Sequence, residues 1–323
     1  MQTIKKTFWG DKRYYSLDYY LKQKYGRKIY KLSLNGGMTC PNRDGTLGTR
    51  GCIFCSEGGS GDFSASSLLS ISEQIEEAKK LVSDKMKSKN NHGDTEYINE
   101  TGSRYIAYFQ AYTNTYGDVN TLRNLFMEAI LHPDIAALSI ATRPDCLGND
   151  ILQLLAELNQ LKPVWIELGL QTCHEATALF IRRGYSLPVF EAALCRLREL
   201  NISVIVHVII GLPNENVSDI LETVAYVSCL PLQGIKLQLL HILKNTDLST
   251  YSFPILTLEQ YVDIIIRCLE IIPKDIVIHR ITGDGPKNLL IAPLWSSNKK
   301  LVLNRIHQEL KIRDTWQGRK HNS

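Results

Sequence analysis

Three of the chain's eight cysteines, Cys40, Cys52 and Cys55, fall in one glycine-rich stretch, NGGMTCPNRDGTLGTRGCIFCSEGGSGDF, which ends at Phe63. Thiols clustered in a reducing compartment serve metal binding or catalysis more often than disulfides. A structural zinc site takes four ligands, commonly as two close pairs. Here one C-x2-C pair stands with one distant cysteine, and His92 is the nearest candidate fourth ligand. Three thiolates suit a four-iron cluster better, because they leave one iron without a protein ligand and open to a small molecule. Electron transfer alone would normally use four cysteines, so an open iron implies chemistry. The surrounding glycines let the backbone wrap closely around a bulky group. Cys146, Cys173, Cys195, Cys229 and Cys268 are scattered singly and read as inert thiols, packed as small hydrophobes.

A large fold must position that loop, and 323 residues with 44% apolar content can bury the core for one. Apolar runs KIYKLSL, RYIAYF, IAALSIA, PVWIELGL, ISVIVHVII, GIKLQLLHI and DIVIHRI alternate with segments of helical period such as DVNTLRNLFMEAIL, NDILQLLAELNQL and LEQYVDIIIRCLEII. This β-α rhythm, with strands too apolar to leave one face wet, predicts an α/β fold with a mostly parallel sheet covered by helices. About six such units predict a barrel or part of one. In such sheets the carboxyl ends of the strands carry the site. The polar motifs NGGMTC, QAYTNTYGD, TRPD, QTCHE, GLPNE and HILKNTDL each follow a strand. KSKNNHGDTEYINETGSR predicts a surface loop or flexible insert. No domain boundary stands out, so one domain is expected: a barrel core over about 28–290, a basic segment 1–27, and a basic helix and tail 291–323.

The net charge of +4 is unevenly spread. Nine Lys or Arg lie in residues 1–31 against Asp11 and Asp18, interleaved with Trp9, Tyr14, Tyr15, Tyr19, Tyr20 and Tyr25, and the last segment is also basic. Such ends fit a polyanion such as RNA, whose phosphates meet the cations and whose bases stack on the rings. They equally fit an ordinary solvated face. The first residues lack the apolar run of a signal peptide, and no stretch approaches the roughly 18 apolar residues of a membrane span. A cytosolic protein with no membrane partner is expected.

Around the three cysteines the chain resembles the radical S-adenosylmethionine (SAM) superfamily. The usual signature there is C-x3-C-x2-C; this chain has C-x11-C-x2-C, which matches the smaller YtqA/YhcC-type (MnmL-type) group. That resemblance runs from NGGMTCPNRDG to the closing RITGDGPKNLLIAPLWSSNKKLVLNRI. A more distant likeness is to the radical SAM domain of the Elongator catalytic subunit, carried by ATRPD at 141–145, ELGLQT at 167–172, RGYS at 183–186 and GLPN at 211–214. The resemblance implies a partial (β/α)6 radical SAM barrel with the basic ends packed on it. It also implies that Cys40, Cys52 and Cys55 hold a [4Fe-4S] cluster whose open iron takes SAM through its amino and carboxylate groups. One electron, from a donor such as flavodoxin or ferredoxin, would cleave SAM to methionine and a 5'-deoxyadenosyl radical, which abstracts a hydrogen atom from substrate. The protein's share is binding, orientation and exclusion of water and oxygen.

Many members hold the methionine amino group with a Gly-Gly-Glu stretch after the second strand. FQAYTNTYGD stands there, so Gln110, Thr113 and Asn114 are the candidates, through amide and hydroxyl groups. The same stretch also reads as a helix-capping turn with Asp118 as N-cap. Arg143 in TRPD is placed to meet a SAM carboxylate or a substrate phosphate, or to form a structural pair with Asp145. Alternation puts Glu167, Gly169 and Gln171 on the barrel interior, where a charge needs a partner; by resemblance Gln171 reaches the SAM ribose. His207 lies within an apolar strand, either as a satisfied structural histidine or as a substrate or SAM contact. Gly211 begins the turn that the family uses beside the adenine. HRITGDGPK lacks the spacing of a triphosphate loop, and within it Arg280, Asp284 and Lys287 are placed to face substrate at the barrel mouth.

The expected function is a radical SAM enzyme that modifies transfer RNA. The Elongator likeness points to wobble uridine, and the YtqA/YhcC-type likeness to its carbon-5 side chain, carboxymethylaminomethyl-uridine toward aminomethyl-uridine, with the base flipped into the barrel mouth. Two alternatives stand beside it: a radical SAM oxidoreductase on a small metabolite or tetrapyrrole, and a non-catalytic iron–sulfur or zinc-binding RNA adaptor.

Overall fold

The computed structural model describes residues 6–59, 64–87, 104–283 and 285–321. Its elements follow the expected rhythm. They run α1 (Leu17–Tyr25), β1 (Tyr30–Leu34), α2 (Ile71–Lys87), β2 (Tyr105–Phe109), α3 (Val119–Leu131), β3 (Ile135–Thr142), α4 (Asn149–Leu161) and β4 (Val164–Gln171). After these come α5 (Glu175–Phe180), α6 (Leu187–Glu199), β5 (Ser203–Ile210), α7 (Val217–Ser228), β6 (Gly234–Leu239) and β7 (Ile242–Leu243). The chain closes with α8 (Leu258–Ile271), β8 (Val277–Arg280), β9 (Leu290–Ala292) and α9 (Lys299–Ile312). Seven parallel strands make one sheet in the order β1-β2-β3-β4-β5-β6-β8, and β7 pairs antiparallel with β9 outside it. Strands β1 to β6 are each followed by a helix, which is six β/α units, and β8 adds a short seventh strand. His92 and most of the polar segment before Tyr105 lie outside the described residues.

The sheet is open yet strongly curled. Lys236 on β6 donates to the Tyr108 hydroxyl on β2 at 3.1 Å. On a flat sheet these strands, four neighbours apart, would stand about 19 Å from each other. Curling makes the concave face an interior, and helices cover the convex face. Every residue of β3 is buried, as its unbroken apolar run requires. Local signals place the covering helices. Asp118 caps α3 by accepting from the Thr121 amide at 2.9 Å, and Asn216 with Asp219 and Thr257 with Gln260 form capping boxes on α7 and α8.

The N-terminal segment packs on the barrel, as the resemblance implies for the basic ends. Ser16 caps α1, and Leu21 and Ile29 pack with Ile106, Ala137, Trp165 and Ile205, all near the amino ends of their strands. Trp9 and Tyr14 are buried, and the Tyr20 ring lies against that of Trp165. The aromatics therefore plug the floor of the half-barrel, at the end opposite the motif-bearing loops. Hydrophobic burial takes these rings because the curled sheet leaves an apolar opening at its base. The C-terminal tail lies on the same end. Gln317 receives the Tyr15 amide and donates to the carbonyls of Pro273 and Ile276.

Candidate active site

The eleven residues between Cys40 and Cys52 double back on themselves. Backbone N–H groups of Arg43, Leu47 and Gly51 donate to the carbonyls of Cys40, Pro41 and Asn42 at 2.8, 2.8 and 2.7 Å. The last bond joins the two ends of the insertion and so delivers Cys40 to the Cys52–Cys55 turn, itself closed by the Cys55 amide on the Cys52 carbonyl at 3.0 Å. Asn42 latches this loop to the barrel. Its Nδ2 donates to the Arg182 carbonyl at 2.7 Å and lies 3.5 Å from Cys52 Sγ. Gly184 makes that approach feasible, because its φ is +85° and a Cβ there would stand 2.7 Å from Asn42 Oδ1.

All three thiols open onto one cavity of about 240 Å³ at the carboxyl edge of the sheet. The hydrogen bond with Cys55 brings the Cys52 thiol down to about 7 against the cost of burial, with help from the Arg143 and Arg182 charges. The same bond and burial push Cys55 well up. A lone tetrahedral ion would need its sulfur donors within roughly 4 Å of one another. Among the described residues, the groups with metal-capable atoms within 4.8 Å are Glu76–His132–Asp134 and His174–Asp219–Glu222, neither with a cysteine. Cys52 and Cys55 stand within hydrogen-bonding reach of each other and Cys40 completes no compact three-donor group with them, so three soft thiol donors opening onto one cavity suit an iron–sulfur body.

Deeper in the cavity lies a buried charge network that the sequence announced only through Glu167. Glu167 Oε1 accepts from Lys31 and from Ser139 Oγ at 2.8 Å; its Oε2 accepts from Lys236 and faces His207 Nε2 at 2.9 Å. Burial alone would raise this carboxyl, but Lys236, Lys31 and His207 outweigh it and hold Glu167 well below the usual range. Burial, with Arg280 and Lys31 as like charges, brings Lys236 down to about 7 despite Glu167. Burial and Lys236 bring His207 down to about 4, so it is neutral near pH 7. His207 is thus a satisfied histidine that also lines the cavity.

The other expected residues divide. Gln110, Thr113, Gln171 and Arg280 line the cavity. Gln171 stands in the left-handed region at φ +66° and accepts from the Tyr185 hydroxyl at 3.1 Å. Arg143 also lines it, but its guanidinium grips Asp145 through two bonds of 2.9 and 2.7 Å and donates to the Arg183 carbonyl, which is the structural pairing. Asn114 is buried with Nδ2 on the carbonyls of Phe109 and Ala141, tying β2 to β3 rather than facing the cavity. Gly211 turns at φ +91° beside Leu256 and is not itself among the lining residues, although Ile209, Leu239 and Leu240 are. Lys287 is not among the lining residues, although Gly285 and Pro286 are, and Asp284 lies outside the described residues. Sequence reasoning missed Lys236, Tyr108 and His241. The two glycines of TGDG were the signal for His241: a Cβ on Gly283 would run into its ring, and one on Gly285 would stand 2.6 Å from Nδ1.

Comparison with known proteins bears on this geometry. Residues 45–227 match the family described as Radical SAM superfamily, and residues 232–312 match the Radical_SAM C-terminal domain. The two segments meet between β5 and β6, which pair within the same sheet. The uncharacterized protein YtqA of Bacillus subtilis is 42% identical over 313 residues, 96% of this chain and 93% of that one. Protein YhcC of Escherichia coli is 34% identical over 304 residues, 93% of this chain and 90% of that one. Among solved structures, Elp3 of the archaeon Methanocaldococcus infernus, lacking residues 1–46, superposes with a TM-score of 0.64 at 14% identity over 90% of this chain and 64% of that one.

Proposed function

Since the chain belongs to the radical SAM superfamily, within it to the YtqA/YhcC-type group related to Elongator, we propose that it modifies the carbon-5 side chain of wobble uridine in transfer RNA. The step is carboxymethylaminomethyl-uridine toward aminomethyl-uridine. The superfamily's cofactors are a [4Fe-4S] cluster and SAM. The observation that carries the substrate reading is where the Elongator-like motifs fall. Arg143, Glu167, Gln171, Arg183 and Tyr185 of those motifs all line the cavity, so the Elongator-like stretches converge on this chain's candidate site.

Cys40, Cys52 and Cys55 would hold the cluster, with Gln110 and Thr113 at the end of β2 and Gln171 at the end of β4 toward SAM. Bound there, the pair supplies one-electron cleavage of SAM and hence hydrogen-atom abstraction, with the electron from a flavodoxin- or ferredoxin-class donor. The chain's own residues do the rest. Asn42 and Arg43 fix the cysteine loop, and the Arg43 guanidinium donates to the carbonyls of Cys55 and Ser56. The plugged floor closes the lower route for water and oxygen. The inner network sets the charge that a substrate side chain meets.

The test is mass spectrometry of tRNA nucleosides from a deletion strain beside its parent. We expect carboxymethylaminomethyl-uridine to accumulate and the methylaminomethyl form to vanish, with rescue by the wild-type gene and none by Cys52→Ala. An unchanged profile in cells that make the modification overturns the uridine reading. One observation favours a second reading, a radical SAM oxidoreductase on a small molecule. The aromatic N-terminal segment packs on the floor, so its rings do not flank the mouth.

A further inference from the structure

Among the described residues, Glu167 at the inner end of the cavity is met by more than one cation. Glu167 is the one carboxylate among its described lining residues, and both of its oxygens are engaged, by Lys31 and Ser139 on one side and by Lys236 and His207 on the other. Lys31 and Lys236 already outnumber it, and Arg280, the register partner of Lys236 on β8, lines the same cavity. In its protonated form Lys236 has three hydrogens to donate. Two are taken by Glu167 and Tyr108, and the third has no partner among the described residues. Buried cations in excess are costly and favour an incoming anion. Lys236 lies three residues before the end of β6 at Leu239, hence about 10 Å below the strand ends, while the thiols sit on the loop beyond the ends.

We propose that this inner end is a carboxylate subsite, in which Lys236 and Arg280 receive the carboxylate of the substrate side chain. The assignment rests on the reading of a carboxymethylaminomethyl substrate and adds which residues recognise its acidic terminus. A carboxylate held there also orients the adjoining methylene up toward the thiol end. The neighbouring charges already act on one another, since Arg280 and Lys31 both depress the Lys236 ammonium.

Binding calorimetry on the full-length, cluster-reconstituted protein with SAM and no reductant tests this with two probe pairs. The first is the nucleosides 5-carboxymethylaminomethyl-uridine and 5-aminomethyl-uridine; the second is N-benzylglycine and benzylamine, which keep the side chain but lack the nucleoside. The acidic member should bind about 10-fold or more tightly. Lys236→Met and Arg280→Gln should erase that preference while circular dichroism stays native. Arg280→Gln carries the test if Lys236→Met does not fold. Preference within the benzyl pair alone supports the subsite and counts against uridine. Nucleosides that bind without preference, with none in the benzyl pair, leave uridine standing and overturn the subsite. A preference that survives both substitutions overturns it as well.

Discussion

Glu167 is fully buried in the middle of β4, and only its partners make that tenable. Removing its charge would strand Lys31 and Lys236 together in the interior. Glu167→Gln should therefore cost about 3–5 kcal/mol of stability by urea unfolding, and a change under 1 kcal/mol would show that cavity water already screens the network. His207 gives a pH signature. Its pKa is about 4 in the native protein against 6.5 for the free group. As pH falls through 6.5 the unfolded chain takes up a proton that the native one refuses, so this contribution is fully present above 6.5 and is lost toward pH 4. In His207→Gln the slope of stability against pH across that window should be shallower than in the wild type; equal slopes would mean the ring is protonated in the native protein. Among the cysteines, Cys195 is exposed and its thiol donates only to Glu199. Cys195→Ala should bind as much iron on reconstitution as the wild type, whereas Cys40→Ala, Cys52→Ala and Cys55→Ala should not.

Two elements do work that their own sequences do not advertise. The loop between Cys40 and Cys52 is latched by Asn42 against the carbonyls of Arg182 and Arg183, with Arg43 on the carbonyls of Cys55 and Ser56 and Thr46 on the Tyr116 hydroxyl as further ties. Asn42→Ala should lower iron retention several-fold under a chelator challenge while moving the unfolding midpoint little, since the loop lies outside the main core. Equal retention would assign the loop's shape to its backbone bonds and its other side-chain ties. Helix α1 is the second. Leu21 is 3% exposed beneath Trp165 and Ile205. Leu21→Ala should cost about 2–4 kcal/mol, read as a fall in melting temperature. A surface arm would barely register the change.

At the scale of the molecule the two chain ends are knitted together at the floor. Arg13 donates to Asp314 and to the Thr315 carbonyl, the Gln317 amide donates to the Arg13 carbonyl, and Ser16 bridges to Ile278 beside β8. Tyr15 and Ser16 thus pair with the edge that the open sheet leaves at β8. Deleting residues 1–15 should destabilise the whole fold in urea, because it removes Trp9 and Tyr14 from the core and uncovers β8. A truncated chain with an unchanged midpoint would show the segment to be an independent arm. Much of the basic charge at this end is paired: Arg305 with Glu259 and Glu309, Arg313 with Asp263 and Glu309, Lys320 with Glu270. Among the described residues no helix is long and apolar enough to cross a membrane.

What the sequence determined was whatever is local or periodic. The β-α alternation, the cap Asp118, the loop ends carrying the motifs, and the inward side of Glu167, Gly169 and Gln171 all follow from local signals and from backbone geometry that repeats every 2 or about 3.6 residues. The three closely grouped cysteines are likewise legible in the chain, because ligand type and spacing are local features. Tertiary structure alone decided which distant residues meet. Lys236 read as one polar residue in an apolar strand, and only the curl of the sheet sets it against Tyr108 and Glu167 across the barrel. The same curl opened the floor that drew in Trp9, Tyr14 and Leu21, which composition alone does not place. Composition counts charges and rings, but burial depends on the shape of the surface they find, and that shape is a property of all seven strands together.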